Sequence, residues 1–234
     1  MTAKRPAAPV TGFIDKVMTV DGQERAYVVF VPRGYDGRKS WPLIVFLHGA
    51  GERGSDGYKQ SEVGLGRAVR MAPDRFPCLV LMPQCPEEGW WCKDGSGWAD
   101  EFQPGTAHID RALADTLAEY NVDPARVYLT GLSMGGFGTW IYGAQHADTF
   151  AALMPICGGG NTADGATLAK LPIWVFHGAN DSVVPVERSR EMVEAVKAAG
   201  GDVQYSELPN TDHNSWDQAY GNGDAIAWLL SQHR

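Results

Sequence analysis

Short apolar runs recur along the chain and alternate with stretches in which apolar positions return every three or four residues. The runs at 42–48 (PLIVFLH), 78–83 (CLVLMP), 126–130 (RVYLT), 150–156 (FAALMPI) and 172–177 (PIWVFH) read as strands. Their unbroken apolar character predicts a sheet covered on both faces. Two earlier segments, 16–20 (KVMTV) and 26–31 (AYVVFV), flank DGQE and read as an antiparallel hairpin. VQYSEL at 203–208 reads as a last, edge strand. Helical periodicity covers roughly 62–71, 106–120, 135–146, 186–199 and 215–232. In the second of these, Ile109, Leu113 and Leu117 form a stripe at i, i+4 spacing. Alternating strands and helices predict parallel βαβ units, the α/β class.

Two connections are informative by length. Residues 84–105 (QCPEEGWWCKDGSGWADEFQPG) form a long loop rich in Gly, Pro and Trp, and loops longer than ~12–15 residues in a compact domain are usually functional or disordered. By contrast, about 16 residues separate Ile156 from Ile173, too few for a helical lid. No repeat, low-complexity tract or shift in composition divides the chain, so a single domain over 1–234 is expected, with 1–12 as a flexible N-terminal segment.

The composition narrows the partners. A hydrophobic fraction of 44% is ample for a core, and the formal charge of −8 makes nucleic acid and anionic membranes poor partners. No run of 18 apolar residues exists to span a membrane. The opening MTAKRPAAPVTG lacks the apolar segment of a secretory signal, which fits a cytoplasmic protein or an exported one whose signal has been removed. Cys78 and Cys157 read as small apolar residues at strand ends, and a Cys85–Cys92 disulfide is compatible with the spacing but not required. No C-x-x-C or H-x-x-x-H pair is present, so no metal is expected.

Chemistry concentrates at VYLTGLSMGGFGTW, residues 127–140. Gly131, Ser133 and Gly135 form G-x-S-x-G directly after a strand and directly before a helix. Only a sharp strand-to-helix turn fits, with the glycines clearing space and the Ser133 hydroxyl projecting at the carboxyl end of the sheet. A serine hydroxyl needs a base oriented by a third group, in chain order Ser, acid, His. His146, His177, His213 and His233 follow Ser133. His146 lies along the helix after the serine, His233 is penultimate, and His177 ends a strand, where it reads as a brace for its loop, as does His48. His213, in the loop after the last strand, is the candidate base. For the acid, Asp181 in HGANDSVVP follows a strand at the same edge. Asp202 sits at the opposite edge, Asp212 is too close to His213, and Asp148 precedes a strand. Asp164 is the competitor.

LHGAGERG, residues 47–54, matches the G-x-G-x-x-G dinucleotide fingerprint at Gly49, Gly51 and Gly54. That reading fails: a polar, aperiodic stretch follows, and the next strand ends without an acidic residue. The better reading is an oxyanion loop, with the N–H groups of Ala50 and Met134 as donors. Together, LIVFLHGAGERG, GLSMGGFGTW, HGANDSVVP and TDHNSW resemble the α/β-hydrolase superfamily over about residues 25–230. The resemblance is to its compact, lidless members: feruloyl and acetylxylan esterases, polyhydroxyalkanoate depolymerases and prolyl-oligopeptidase-like hydrolases. It implies a mostly parallel sheet of about eight strands and a serine esterase using Ser133, His213 and Asp181, with no cofactor. Acyl groups would be small or aromatic, or the substrate a polyester. A serine peptidase is the alternative, followed by a non-catalytic binding protein on the same scaffold. Trp90, Trp91 and Trp98 give the loop 84–105 large apolar faces, and without a lid it is expected to wall the cleft, with Trp90 or Trp91 lining it and Gln84 offering hydrogen bonds near its mouth.

Overall fold

Asp21 and Gly22 both take positive φ, 50° and 75°, the geometry of a two-residue hairpin turn. The chain therefore folds back at once, and β1 (Gly12–Val20) pairs antiparallel with β2 (Gln23–Val31) from Val20↔Gln23 outward. The computed structural model describes residues 9–93 and 99–234. Trp98 and most of the N-terminal segment expected to be flexible lie outside the described residues.

The elements that follow are β3 (Trp41–Leu47), α1 (Gly64–Met71), β4 (Leu79–Pro83), the two-residue strands β5 (Gly89–Trp90) and β6 (Gln103–Pro104), and α2 (Thr106–Glu119). After these come β7 (Val122–Leu132), α3 (Met134–Gln145), β8 (Ala152–Ile156), α4 (Gly165–Leu168), β9 (Ile173–Gly178), α5 (Glu187–Ala198), β10 (Val203–Leu208), α6 (Trp216–Gly221) and α7 (Gly223–Ser231). Eight strands form one sheet in the order β1-β2-β4-β3-β7-β8-β9-β10. It is parallel from β4 to β10, and β1 and β2 are its antiparallel end.

Alternation along β3 sorts the core into two layers. Leu43, Val45 and Leu47 face α2, α3 and α5 through Ile109, Trp140 and Met192, while Ile44 and Phe46 face α1, α6 and α7 through Leu65, Tyr220 and Ile226. Both faces are thus covered, as unbroken apolar strands require. The connection between β8 and β9 holds only a 3-10 turn and the four-residue α4, so no lid rises there.

Two expectations need correction. Leu117 is 44% exposed; the buried face of α2 runs through Ile109, Ala112, Leu113 and Thr116 instead. The helix expected over 215–232 is two helices, because Asn222 leaves helical geometry (ψ 113°) and caps α7 through the Asp224 and Ala225 amides. Within the connection 84–105, β5 and β6 pair in parallel.

Candidate active site

The carboxyl ends of the parallel strands define one edge of the sheet, and the loops leaving β3, β7, β9 and β10 meet there. Ser133 follows β7 with φ 51° and ψ −116°, a conformation that costs an L-residue energy. The strain is imposed by neighbours: a side chain at Gly135 would be driven into the Leu47 carbonyl, and one at Gly131 into the Gly135 carbonyl. The Ser133 N–H is anchored to the Ile156 carbonyl at 2.9 Å.

His213 Nε2 lies 3.0 Å from Ser133 Oγ, and its Nδ1 lies 2.8 Å from Asp181 Oδ2. The ring is held edge-on against Trp216, with centroids 5.3 Å apart. Its loop is latched to the Asp181 loop by Asp212, whose Oδ1 accepts the Ser182 N–H and hydroxyl, each at 2.8 Å. Asp181 has no exposed side-chain surface. Its Oδ1 accepts the Val183 and Val184 amides at 2.9 and 2.8 Å, and its Oδ2 accepts a second histidine, His177, at 3.1 Å. Burial pushes the carboxyl up, but hydrogen bonds from His177, His213 and the two amides outweigh it and hold the group well below the usual carboxylate range. Asp181 is therefore ionised at neutral pH. The competitor Asp164 stands at the N-terminus of α4, on a short helix packed against α5.

The loop after β3 carries the other expected residues. Ala50 opens a 3-10 turn and Met134 opens α3, and the first N–H groups of a helix have no partner inside it. Met134 follows Ser133 directly, and Ala50 follows Gly49, on which a Cβ would stand 3.7 Å from Ser133 Cβ. Glu52 Oε2 accepts the Gly49 N–H at 3.0 Å, and Arg53 Nε donates to the Ala50 carbonyl at 3.0 Å. His48 is buried, and burial lowers its pKa to about 4. Its Nδ1–H donates to the Gly49 carbonyl at 2.6 Å, and its Nε2 accepts the Cys85 N–H at 2.9 Å. It braces its loop.

Two expected binding residues are corrected. Gln84 is buried and faces the protein. Its amide donates to the Glu52 carbonyl and Asp56 Oδ1 at 3.0 and 3.1 Å and accepts the Gly57 N–H at 2.8 Å. Trp91 is fully buried, and its Nε1–H donates to the His48 carbonyl at 2.9 Å; it pins the loop to the core. Trp90 stacks on Phe102 at 5.2 Å, under the Arg53 guanidinium that also holds Ala50. Trp91→Phe is expected to lower the melting temperature by ~3–6 °C through one lost buried hydrogen bond and some packing, without altering substrate preference; calorimetry and a substrate panel check this.

Sequence reasoning missed Glu52, Arg53, Phe102 and the contact of His177 with Asp181. Only the His177–Asp181 spacing, i and i+4 across a strand end, held a signal. Cys157, at φ 41°, completes the surroundings: its thiol, the Asp181 carboxylate and the His213 imidazole lie within 4.8 Å of one another. Burial pushes that thiol up to about 12, so it is protonated at neutral pH. Among the described residues all four cysteines are free and buried, Cys85 and Cys92 included.

Comparison with known proteins shows the family and the fold. Residues 79–221 match the model of the dienelactone hydrolase family, and the chain belongs to that family. It is similar to a probable feruloyl esterase C of Aspergillus terreus, 27% identical over 75% of this chain and 61% of the relative. It is also similar to a bifunctional acetylxylan esterase/xylanase of Neocallimastix patriciarum, 38% identical over 61% of this chain and 20% of the relative. The chain thus spans under two thirds of the length of each. A thermostable esterase of known structure is 38% identical, with a TM-score of 0.86 over 95% of this chain and 63% of that one. A ferulic acid esterase at 19% identity and a TM-score of 0.71, over 93% of this chain and 97% of that one, shares the fold. The fold is the α/β-hydrolase fold.

Proposed function

We propose that this member of the dienelactone hydrolase family hydrolyses carboxylic esters through an acyl-serine, on substrates with a small or aromatic acyl group carried by a small molecule or a polymer. The observation that supports it most is the unbroken hydrogen-bonded line from Ser133 Oγ through His213 to Asp181, on a strained turn at the carboxyl edge of the sheet. The family and the esterases among its relatives support the same class of bond.

In this reading Ser133 Oγ attacks the ester carbonyl while His213 Nε2 takes its proton. Asp181 fixes the tautomer by accepting Nδ1–H and stabilises the imidazolium. The carbonyl oxygen, now negative, is received by the Ala50 and Met134 N–H groups, whose helix-start positions favour such charge. His213 returns the proton to the departing alcohol. Water then repeats the sequence on the acyl-serine, releasing the acid. Glu52 and Arg53 position the Ala50 loop from either side. Since Arg53 also lies over Trp90 and Phe102, that ring pair forms the wall next to the oxyanion donors.

A fluorophosphonate tests the core of this reading: one label per chain, on the peptide containing Ser133, is expected by mass spectrometry. Trp90→Ala tests the wall. It is expected to raise KM for feruloyl esters several-fold more than for p-nitrophenyl acetate, which is too small to use it. Equal losses on both substrates would make Trp90 a structural pin, like Trp91.

A further inference from the structure

Asp181 Oδ2 accepts two histidines where a Ser-His-Asp line needs one. It lies 2.8 Å from His213 Nδ1 and 3.1 Å from Nε2 of His177, a fully buried ring near the end of β9. His213 has its place in the proton transfer. His177 touches neither Ser133 nor solvent, and its one link to the chemistry is that shared oxygen.

The neighbours of His177 decide where its hydrogens sit. Nε2 faces the Asp181 carboxylate and, at 3.0 Å, the Val184 carbonyl. Both only accept, Asp181 being ionised, so Nε2 carries a hydrogen. On the other side, Nδ1 stands 2.7 Å from Ser189 Oγ, which stands 3.0 Å from the Gly158 carbonyl. The single Ser189 hydroxyl proton serves one of the two. Turned to Nδ1, it leaves the ring neutral. Turned to Gly158, it leaves Nδ1 to carry a hydrogen of its own, and the ring becomes a cation. In either state Nε2–H donates to Asp181 and draws charge from the oxygen that His213 uses.

The other charges around the ring are engaged elsewhere. Glu207 on β10 is in register with His177, but Arg190 of α5 holds both its oxygens, at 2.9 and 2.6 Å. Arg190 also pairs with Glu187, and Arg188 with Glu191. Cys157, following β8, is a neutral thiol. Asp212 accepts from Ser182 and from the His213 N–H. Among the described residues, His177 is the one side-chain donor to Asp181 besides His213. The mount of His213 does not depend on it: Asn180 N–H donates to the Thr211 carbonyl at 2.9 Å, and a Cβ on Gly178 would strike the Thr211 and Asp212 carbonyls. Loss of the His177 ring therefore alters the charge on Asp181 and leaves His213 in place.

We propose that His177 is a positioning residue acting through Asp181: its Nε2–H shares Oδ2 with His213, weakens the hold of the carboxylate on the His213 imidazolium and extends turnover to lower pH. The inference rests on the esterase reading for its effect on turnover. His213 must be free of its second proton to accept that of Ser133, so a weaker hold keeps it competent further into acid.

The test compares pH profiles of kcat/KM on p-nitrophenyl acetate for wild type, His177→Phe and His177→Gln. Phenylalanine removes the donor, whereas glutamine returns an amide N–H to the neighbourhood of Nε2. In His177→Phe the acid limb is expected to move up by about half to one pH unit, the scale of one hydrogen bond. In His177→Gln it is expected to stay at the wild-type position. Lower activity in His177→Phe with the limb unmoved makes His177 a brace for its loop and overturns the proposal, as does a limb moved equally in both variants. NMR of nitrogen-labelled histidines in the wild type gives a second reading should His177→Phe fold poorly. Because Oδ2 is shared, the His177 Nε2–H signal is expected to shift with the same midpoint as the titration of His213. A His177 signal indifferent to that titration overturns the proposal. Coupled titration without any ester turnover would instead overturn the catalytic reading and leave the coupling standing.

Discussion

Ser133→Ala is expected to lower kcat on p-nitrophenyl acetate by ~10⁵–10⁶-fold while the protein stays folded. Both halves of that expectation come from the same geometry. In the proposed mechanism the hydroxyl is the attacking atom, and no neighbouring group substitutes for it: His213 Nε2 points at Oγ itself, and the Cys157 thiol is protonated and buried. What would survive is the residual catalysis of the proposed oxyanion donors and substrate binding, which in related machinery leaves ~10³–10⁴-fold over water. Stability, in contrast, loses one half-buried hydrogen bond, worth ~0.5–1.5 kcal/mol. The backbone strain at φ 51° is shared by Ser and Ala, so Ser133→Gly, which removes it, is expected to melt higher than Ser133→Ala. Kinetics, fluorophosphonate labelling and thermal melts of the two variants check these outcomes. Retained turnover in Ser133→Ala would remove the proposed mechanism.

Strand content was legible because both faces of the sheet are covered. A run such as LIVFL has no polar residue to hide, and its length alone separates it from a buried helix. The turn at Ser133 was legible for a related reason. A serine between glycines, with a strand before it and a helix after it, has few ways to fold, and the collisions awaiting any side chain at Gly131 or Gly135 explain the pattern. Periodicity misled where local chemistry overruled it. The apolar spacing over 215–232 runs straight through Gly221-Asn222-Gly223, yet Asn222 caps a new helix there. Leu117 keeps the i, i+4 spacing but stands where α2 has already turned its face to solvent.

The proposed substrate wall was the least legible part. A tryptophan's size says that it buries a large surface, not which side of a loop it turns to. Trp91 turns inward because a backbone acceptor, the His48 carbonyl, waits for its N–H in the core. Gln84 turns toward the Glu52–Gly57 loop for the same kind of reason. Neither partner is close in sequence, so no local pattern announces them.

Asp181→Asn is expected to cut kcat by ~10⁴-fold and, unlike Ser133→Ala, to cost stability as well. All four hydrogen bonds to Asp181 come from donors: the Val183 and Val184 amides on Oδ1, His213 and His177 on Oδ2. His177 is itself fixed as a donor toward Asp181, because Nε2 also faces the Val184 carbonyl at 3.0 Å, while Ser189 Oγ stands 2.7 Å from Nδ1. An asparagine must turn its NH₂ toward one pair or the other. Turned to the histidines, it forces His213 into the tautomer whose Nε2 carries a proton and cannot accept that of Ser133. Turned to the amides, it sets donors against donors in a buried turn, at ~1–3 kcal/mol for each unsatisfied group. The pH dependence gives a separate reading. The folded-state value for Asp181 is depressed below its ordinary value near 3.8, so the ionised carboxylate stabilises the fold fully above that ordinary value. This contribution is lost as pH falls through the folded value. The gap in melting temperature between wild type and Asp181→Asn is therefore expected to be widest near neutral pH and to narrow below pH ~4. Asp164→Asn, altered on α4 away from both histidines, is expected to change neither turnover nor that gap. A reversal, with Asp164→Asn inactive and Asp181→Asn active, would move the acid of the mechanism to the loop after β8.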